Sequence, residues 1–244
     1  MARIFITGSA DGLGQLAATI LISQGHQVVL HARNASRGND ALKNTPGAEA
    51  VVNGDLSDVD ETINLAGKVN ALGRFDAVIH NAGVYRESGK KIFVVNTLAP
   101  YILTSLIKLP KRLIYLSSGM HMQGHTNFEN FKKNTGQITY SDSKLHVLML
   151  ALSVARKRPD VCSNAVDPGW VPTKMGGKGA PDDLRQGYET QAWLATSDDK
   201  AATVTGRYFY HKKEKPHNGT ANDITLQERF LNTCEEITGV SFQG

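Results

Sequence analysis

Thr7-Gly8-Ser9-Ala10-Asp11-Gly12-Leu13-Gly14 is the stretch whose reading decides the fold. Ahead of it, Arg3 to Thr7 has the apolar run of a short buried strand. Behind it, Gln15-Leu16-Ala17-Ala18-Thr19-Ile20-Leu21-Ile22 has helical spacing and stops at Gly25. The order is strand, glycine-rich turn, helix. In that order Gly8 permits a tight turn, Gly12 lets backbone N–H groups approach a pyrophosphate, and Gly14 lets helix and strand pack closely. The helix N-terminus adds unpaired donors and a partial positive charge. Glycine clusters also serve ordinary turns; the position at the first strand–helix junction is what points to a dinucleotide. Ser9, Asp11 and Leu13 share the turn and count with Gly8, Gly12 and Gly14 as cofactor-binding residues.

Outward from the turn, Gln27-Val28-Val29-Leu30-His31 is a second strand ending in Ala32-Arg33-Asn34. An NAD-binding domain usually places an acidic residue there, on the ribose 2′-OH. This chain has no carboxylate at that point but a guanidinium, Arg33, which can bind a 2′-phosphate bidentately. The reading favours NADP(H) over NAD(H); a surface arginine in a loop is the plainer alternative. A helix follows over 34–43, then a third strand, Ala50-Val51-Val52-Asn53. Asp55-Leu56 sits at its end, where Asp55 could accept from an adenine amino group or be one more turn aspartate. Ser57 is placed to cap a helix over 58–72. A fourth strand, Ala77 to His80, runs into Asn81-Ala82-Gly83, whose small side chains let backbone lie against a flat cofactor.

Helical spacing returns over 92–106 with Asn96 and Pro100 inside it. Proline removes a backbone bond and bends a helix, so Asn96 could hold a water or a loosened carbonyl, or be a satisfied buried asparagine. Arg112 to Leu116 is a fifth strand ending at Ser117-Ser118-Gly119, on the carboxyl edge where open α/β sheets bind ligands. Ser118 there could hydrogen-bond a carbonyl. Residues 119–138 read as a polar loop. Tyr140-Ser141-Asp142-Ser143-Lys144 then opens a helix. A tyrosine and a lysine four apart face the same way, and a nearby ammonium can lower a phenol's pKa by roughly 1–3 units, towards useful acid–base catalysis. The pair alone is most often an exposed helix face. Val161–Val166 is a sixth strand, ended by Asp167-Pro168-Gly169-Trp170-Val171-Pro172-Thr173. Lys174 to Pro181 has the glycine content of a mobile lid, 184–195 is helical, Arg207–Tyr210 is a seventh strand and 223–238 a closing helix.

Strands and helices alternate from end to end with no repeat or composition break. The expectation is one α/β domain over 1–244: a Rossmann-type doubly wound parallel sheet of about seven strands with helices on both faces. The net charge of +4 is mild and spread out, so nucleic-acid binding is not expected. The basic patch His211-Lys212-Lys213-Glu214-Lys215 reads as a solvated loop. Cys162 and Cys234 have no metal-ligand spacing, so no metal is expected. No signal peptide and no apolar span are visible, which leaves a soluble cytoplasmic protein as the expectation.

On Thr7-Gly8-x-x-x-Gly12-x-Gly14, Asn81-Ala82-Gly83, Asn96, Ser118, Tyr140-x-x-x-Lys144 and Pro168-Gly169, in this order over nearly the full length, the chain resembles the compact short-chain dehydrogenases/reductases. Tyr140 to Leu145, Pro168-Gly169-Trp170-Val171-x-Thr173 and Gly206-Arg207-Tyr208-Phe209 are similar to the retinol dehydrogenase-like branch. The resemblance implies a catalytic set of Asn96, Ser118, Tyr140 and Lys144. Tyr140 would be the acid/base, Lys144 would lower its pKa and hold the nicotinamide ribose, Ser118 would polarise the carbonyl, and Asn96 would anchor a water. Thr173 would meet the carboxamide and Trp170 would lie near the ring. Pro168, Gly169 and Val171 complete the cofactor contacts. The substrate implied is a small carbonyl or alcohol compound, and family members often pair into homodimers or homotetramers through the helices carrying Asn96 and Tyr140.

Three departures stand out. His80 replaces a common asparagine, Ser118 and Tyr140 are unusually far apart, and no basic residue in the glycine turn supports Arg33. The 119–138 insertion, with His121 and His125, and the 174–190 segment are the expected substrate loops. A cofactor-sensing protein on the same fold is the alternative function.

Overall fold

In the computed structural model, which describes residues 1–242, one sheet carries all eight strands in the order β3-β2-β1-β4-β5-β6-β7-β8. They are β1 Arg3–Ile6, β2 Gln27–Ala32, β3 Ala50–Asn53, β4 Ala77–His80, β5 Arg112–Leu116, β6 Cys162–Asp167, β7 Tyr208–Tyr210 and β8 Lys213–Glu214. The first seven run parallel, and β8 folds back antiparallel on β7. The order reverses direction between β1 and β4, the switch point at which a doubly wound sheet opens a crevice. The expected strands and their parallel order are found; β8 is an addition. His211 and Lys212 both adopt positive φ, and this tight turn makes a hairpin of the segment read as a loop.

Both faces of the sheet are covered, which is why β4 is buried at every position. Alternate side chains go to opposite layers. Phe5, Val29, Val78, Leu113 and Tyr115 pack under helices α3 (Val59–Ala71), α5 (Ala99–Leu106) and α7 (Tyr140–Lys157). Ile4, Ile6, Val28, Leu30, Ile79 and Ile114 pack under α1 (Gly12–Ser23) and α8 (Leu184–Thr196). Helix α2 (Ala35–Asn44) is capped by Asn34, and α3 by Asp58 rather than Ser57, the Asp58 carboxylate accepting from the Glu61 N–H.

Two segments differ from their expected form for reasons that bear on the site. The helix expected over 92–106 is α4 (Gly89–Phe93), a π-helical turn over Val94–Leu98, then α5. Pro100 follows directly on the π turn, inside a continuous helical run, and Asn96 sits in that π turn, a device common at functional sites. Residues 119–138 are more ordered than a polar loop. They form 3₁₀ turns at Gly119–Gln123 and Thr135–Gln137 around helix α6 (Asn130–Lys133). Phe128, Phe131 and Ile138 are buried in the layer beside α7. Together with helix α9 (Ile224–Thr238), this segment covers α7, whose residues 143–155 are all buried. Among the described residues no helix is long and apolar enough to cross a membrane.

Candidate active site

A cleft of about 610 Å³ runs along the carboxyl edge, from Asp11, Arg33 and Arg37 at one end to Tyr140 and Lys144 at the other. At the first end the backbone does most of the shaping. Gly8 and Gly12 have φ of 63° and 58°, values that favour glycine. A Cβ on Gly8 would stand 2.8 Å from the Ala82 Cα, and one on Gly14 would be 2.6 Å from the Gly8 oxygen. The close packing assigned to Gly14 is thus a steric requirement. The Asn81-Ala82-Gly83 turn is tied to the glycine turn: Asn81 Nδ2 donates to the Thr7 and Gly8 oxygens at 2.9 and 3.1 Å, and Thr7 Oγ1 accepts from the Ala82 N–H at 3.0 Å.

His31, read only as the end of a strand, is a strut beneath this turn. Its Nδ1 accepts from the Gly8 N–H at 2.9 Å and its Nε2 pairs with the Gly54 oxygen at 2.9 Å, which requires the neutral Nε2–H tautomer. Burial lowers its pKa to about 4, so it stays neutral.

Arg33 is exposed at the cleft, as expected. It is not alone. Arg37 Nη2 and Lys174 Nζ both contact Asp11 Oδ2, at 2.6 and 3.0 Å, and both line the cleft. Burial pulls the Asp11 pKa upward, but the Arg37 and Lys174 contacts outweigh it and hold the carboxyl below its usual range. Asp11 heads α1 without accepting a capping bond. Asp55 lines the cleft, but its Oδ1 is occupied by the Ser57 N–H and hydroxyl at 2.9 and 2.7 Å, an Asx turn. Leu56 is buried below it.

At the other end, the start of α7 is fixed by a capping box. Thr139 Oγ1 accepts from the Asp142 N–H at 3.1 Å and Asp142 Oδ2 accepts from the Thr139 N–H at 2.9 Å. Such a reciprocal cap contributes on the order of 1 kcal/mol and sets Tyr140 as the first helical residue. One turn on, Lys144 is fully buried; its Nζ donates to the Leu116 oxygen at 2.7 Å and lies 5.4 Å from the Tyr140 ring centre. Burial lowers the Lys144 pKa to about 8, against the opposing pull of the Asp167 charge.

The Tyr140 phenol departs from expectation. Burial first, and the Asp167 carboxylate second, push its pKa up, and contact with the Ser118 hydroxyl offsets only part of this. The lysine does not produce a lowered phenol here because its ammonium is itself desolvated and spends a donor on the Leu116 carbonyl. Ser118 heads the 3₁₀ turn after β5, where its Oγ accepts from the Met120 N–H. Asn96 clamps backbone: Oδ1 accepts from the Val84 N–H at 2.8 Å, and Nδ2 donates to the Val84 oxygen and Ser143 Oγ, both at 3.0 Å. It positions the turn after Gly83 and keeps at most one lone pair free for a water.

Gly83 lies where a Cβ would meet Lys144 Nζ at 3.4 Å. Pro168 and Thr173 line the cleft, Gly169 has φ of 81°, and Val171 is buried. Thr173 Oγ1 accepts from the Gly176 N–H at 3.2 Å. Trp170 is 60% exposed, with Nε1 donating to the Gly176 oxygen at 2.8 Å. His80 is buried and stacked on Tyr115, away from the cleft. His121 is buried and His125 exposed. Asp167, Arg37, Lys174 and His31 are what sequence reasoning missed; Asp167 stood in the quoted Pro-Gly motif without being weighed.

With this geometry in hand, comparison with known proteins is direct. A family model described as short chain dehydrogenase matches residues 2–183. An oxidoreductase of Emericella nidulans is 43% identical, the alignment covering 100% of both chains. Human retinol dehydrogenase 13 is 29% identical over 97% of this chain and 84% of its own, which bears out the branch resemblance. A blue fluorescent protein from a metagenomic library, crystallised with NADPH, superposes with a TM-score of 0.69 at 21% identity over 85% of this chain and 95% of its own. The chain belongs to the short-chain dehydrogenase family.

Proposed function

We propose that the protein transfers a hydride between NADP(H) and a carbonyl or alcohol substrate. The observation that carries this is Tyr140 and Lys144 at the end of a cleft whose other end is a glycine turn with two arginines, with the Ser118 hydroxyl against the phenol. The residues fit a dinucleotide phosphate. A Cβ on Gly8 or Gly14 would strike Ala82 or the Gly8 oxygen, so the turn stays tight at the head of α1 beside the open cleft, and Arg33 and Arg37 can take a 2′-phosphate that an NAD-type carboxylate would repel. The NADPH-bound structural neighbour supports the same coenzyme.

The cofactor supplies the hydride, and the protein supplies position and a proton. Ser118 donates a hydrogen bond to the substrate oxygen. Tyr140, neutral at ordinary pH because burial and Asp167 hold its proton on, donates that proton as the carbonyl becomes an alkoxide. Lys144 Nζ has donors left beyond Leu116 for the ribose hydroxyls. Asn96 fixes the Gly83–Val84 turn against which the ring would lie.

A screen following NADPH consumption over ketones, aldehydes, quinones and steroids tests this. Turnover of at least one class is expected. Tyr140→Phe should lower it by about 10²–10⁴-fold while NADPH still binds. Retained turnover in that variant, or NADPH binding without oxidation by any carbonyl, would overturn the proposal, the latter in favour of a cofactor sensor.

A further inference from the structure

Asp167 ends β6 on the sheet face that also carries Tyr208 and the α7 side chains, because Ala165 pairs with Tyr208 and Asp167 with Tyr210 in register. Its Oδ1 accepts from the Gly169 N–H at 2.9 Å. Its Oδ2 turns toward Gly119, the residue after Ser118: a Cβ on that glycine would stand 3.1 Å from it. The carboxylate is partly exposed, and among the described residues it is held in no ion pair. Four groups feel its charge at this edge besides Tyr140: Lys144, His121, Tyr208 and Tyr210.

The Tyr208 hydroxyl is the second observation. Tyr208 is 4% exposed, its hydroxyl faces the Asp167 carboxylate, and it completes no well-formed hydrogen bond. A buried hydroxyl left this way costs about 1–3 kcal/mol. The ring is wedged between His121 and His217, at 4.7 and 6.3 Å. His121 is spoken for: Nδ1–H donates to the Ser118 oxygen at 2.7 Å and Nε2 accepts from the Asn218 N–H at 3.1 Å. The histidine therefore braces both Ser118 and Tyr208 with no ring nitrogen left over, and the hydrogen-bonding capacity still open here lies with the carboxylate and the phenol.

We propose that Asp167, backed by Tyr208, is a specificity-determining residue: it accepts from a hydroxyl or N–H group that the substrate carries one or two atoms from its reacting carbonyl. The substrate class is then a hydroxy- or amino-ketone rather than a plain ketone or an acid. A substrate carboxylate would meet the Asp167 charge and be rejected, and a substrate lacking a donor would leave that charge desolvated without a partner. The inference rests on the proposed carbonyl chemistry for its meaning, but its test does not require turnover.

The test is binding of matched ketones, hydroxyacetone against acetone and 2-hydroxyacetophenone against acetophenone, to the enzyme saturated with NADP⁺, by calorimetry. The wild type should hold the hydroxylated member at least about tenfold more tightly, the ratio expected when a charged acceptor gains a donor. Asp167→Asn should cut that preference several-fold and Asp167→Ala should abolish it, with Tyr208→Phe intermediate. NADP⁺ affinity of each variant, measured alone, reports whether the fold is intact. A wild-type preference that survives Asp167→Ala, or no preference at all, overturns the inference. Where the enzyme also turns ketones over, the same ratio should appear in KM more than in kcat. Absence of turnover with the binding preference present would count against the proposed function alone.

Discussion

Asp11 and Asp167 both lie at the carboxyl edge of one sheet, the first after β1 and the second at the end of β6. Asp11 carries Arg37 and Lys174 on a single oxygen, whereas Asp167 has a backbone N–H and a tyrosine. On the proposed function the nucleotide end receives an anion, which an uncovered carboxylate would repel; covered, the carboxylate holds two cations beside it. At the proposed carbonyl end the substrate would be neutral, and a carboxylate outside any ion pair among the described residues would be available to meet a donor. The same residue type is silenced in one place and left available in the other.

The sharpest way to break this contrast is to remove the cation at the carbonyl end. Lys144 has its pKa lowered from 10.5 to about 8 by burial. The unfolded chain therefore binds a proton that the folded chain releases between these values, and stability rises with pH across that window. Below pH 8 the desolvated ammonium costs roughly 3 kcal/mol. Lys144→Met should raise the unfolding free energy of the nucleotide-free protein at pH 7 by up to that amount, with the advantage shrinking toward pH 10. Urea titrations at the two pH values check this; an advantage independent of pH would mean the ammonium is not desolvated.

At the nucleotide end, Arg33→Ala with Arg37→Ala should weaken NADPH by about 10–100-fold and NADH little, since charged hydrogen bonds to a phosphate are worth roughly 1.5–3 kcal/mol. Equal losses for both coenzymes in a fluorescence titration would remove the 2′-phosphate from the account. The smallest effect is expected at Asp11. A half-exposed ion pair contributes about 0.2–1 kcal/mol, so Asp11→Asn, by freeing its two cations, should tighten NADPH by no more than about five-fold. Weaker binding would make Asp11 a structural support of the turn rather than a store of cations.

What was legible in the sequence was local. The glycine turn, the strand ends and the Tyr140–Lys144 spacing each follow from neighbours within a few residues, and the structure places them together. What was not legible depended on approach from afar. Lys174 reaches Asp11 across the cleft, and His31 bonds to Gly8 and Gly54 only because β2 lies between β1 and β3. The segment 119–138 looked like loop because Phe128, Phe131 and Ile138 have no single periodicity; they are buried one by one against α7 and α9. A two-residue strand such as β8 is too short to show alternation. The raised Tyr140 phenol comes first from its burial in the fold and second from the tertiary position of Asp167, neither of which spacing along a helix can reveal.

Helix α7 lies beneath α6, the 3₁₀ turns and α9 of its own chain, with residues 143–155 buried before any second copy is considered. Tyr140 and Lys144 are thus anchored by packing within the chain. The helix that carries Tyr140 and Lys144 has its packing completed within one chain, so holding phenol and amine in line asks nothing of a second copy.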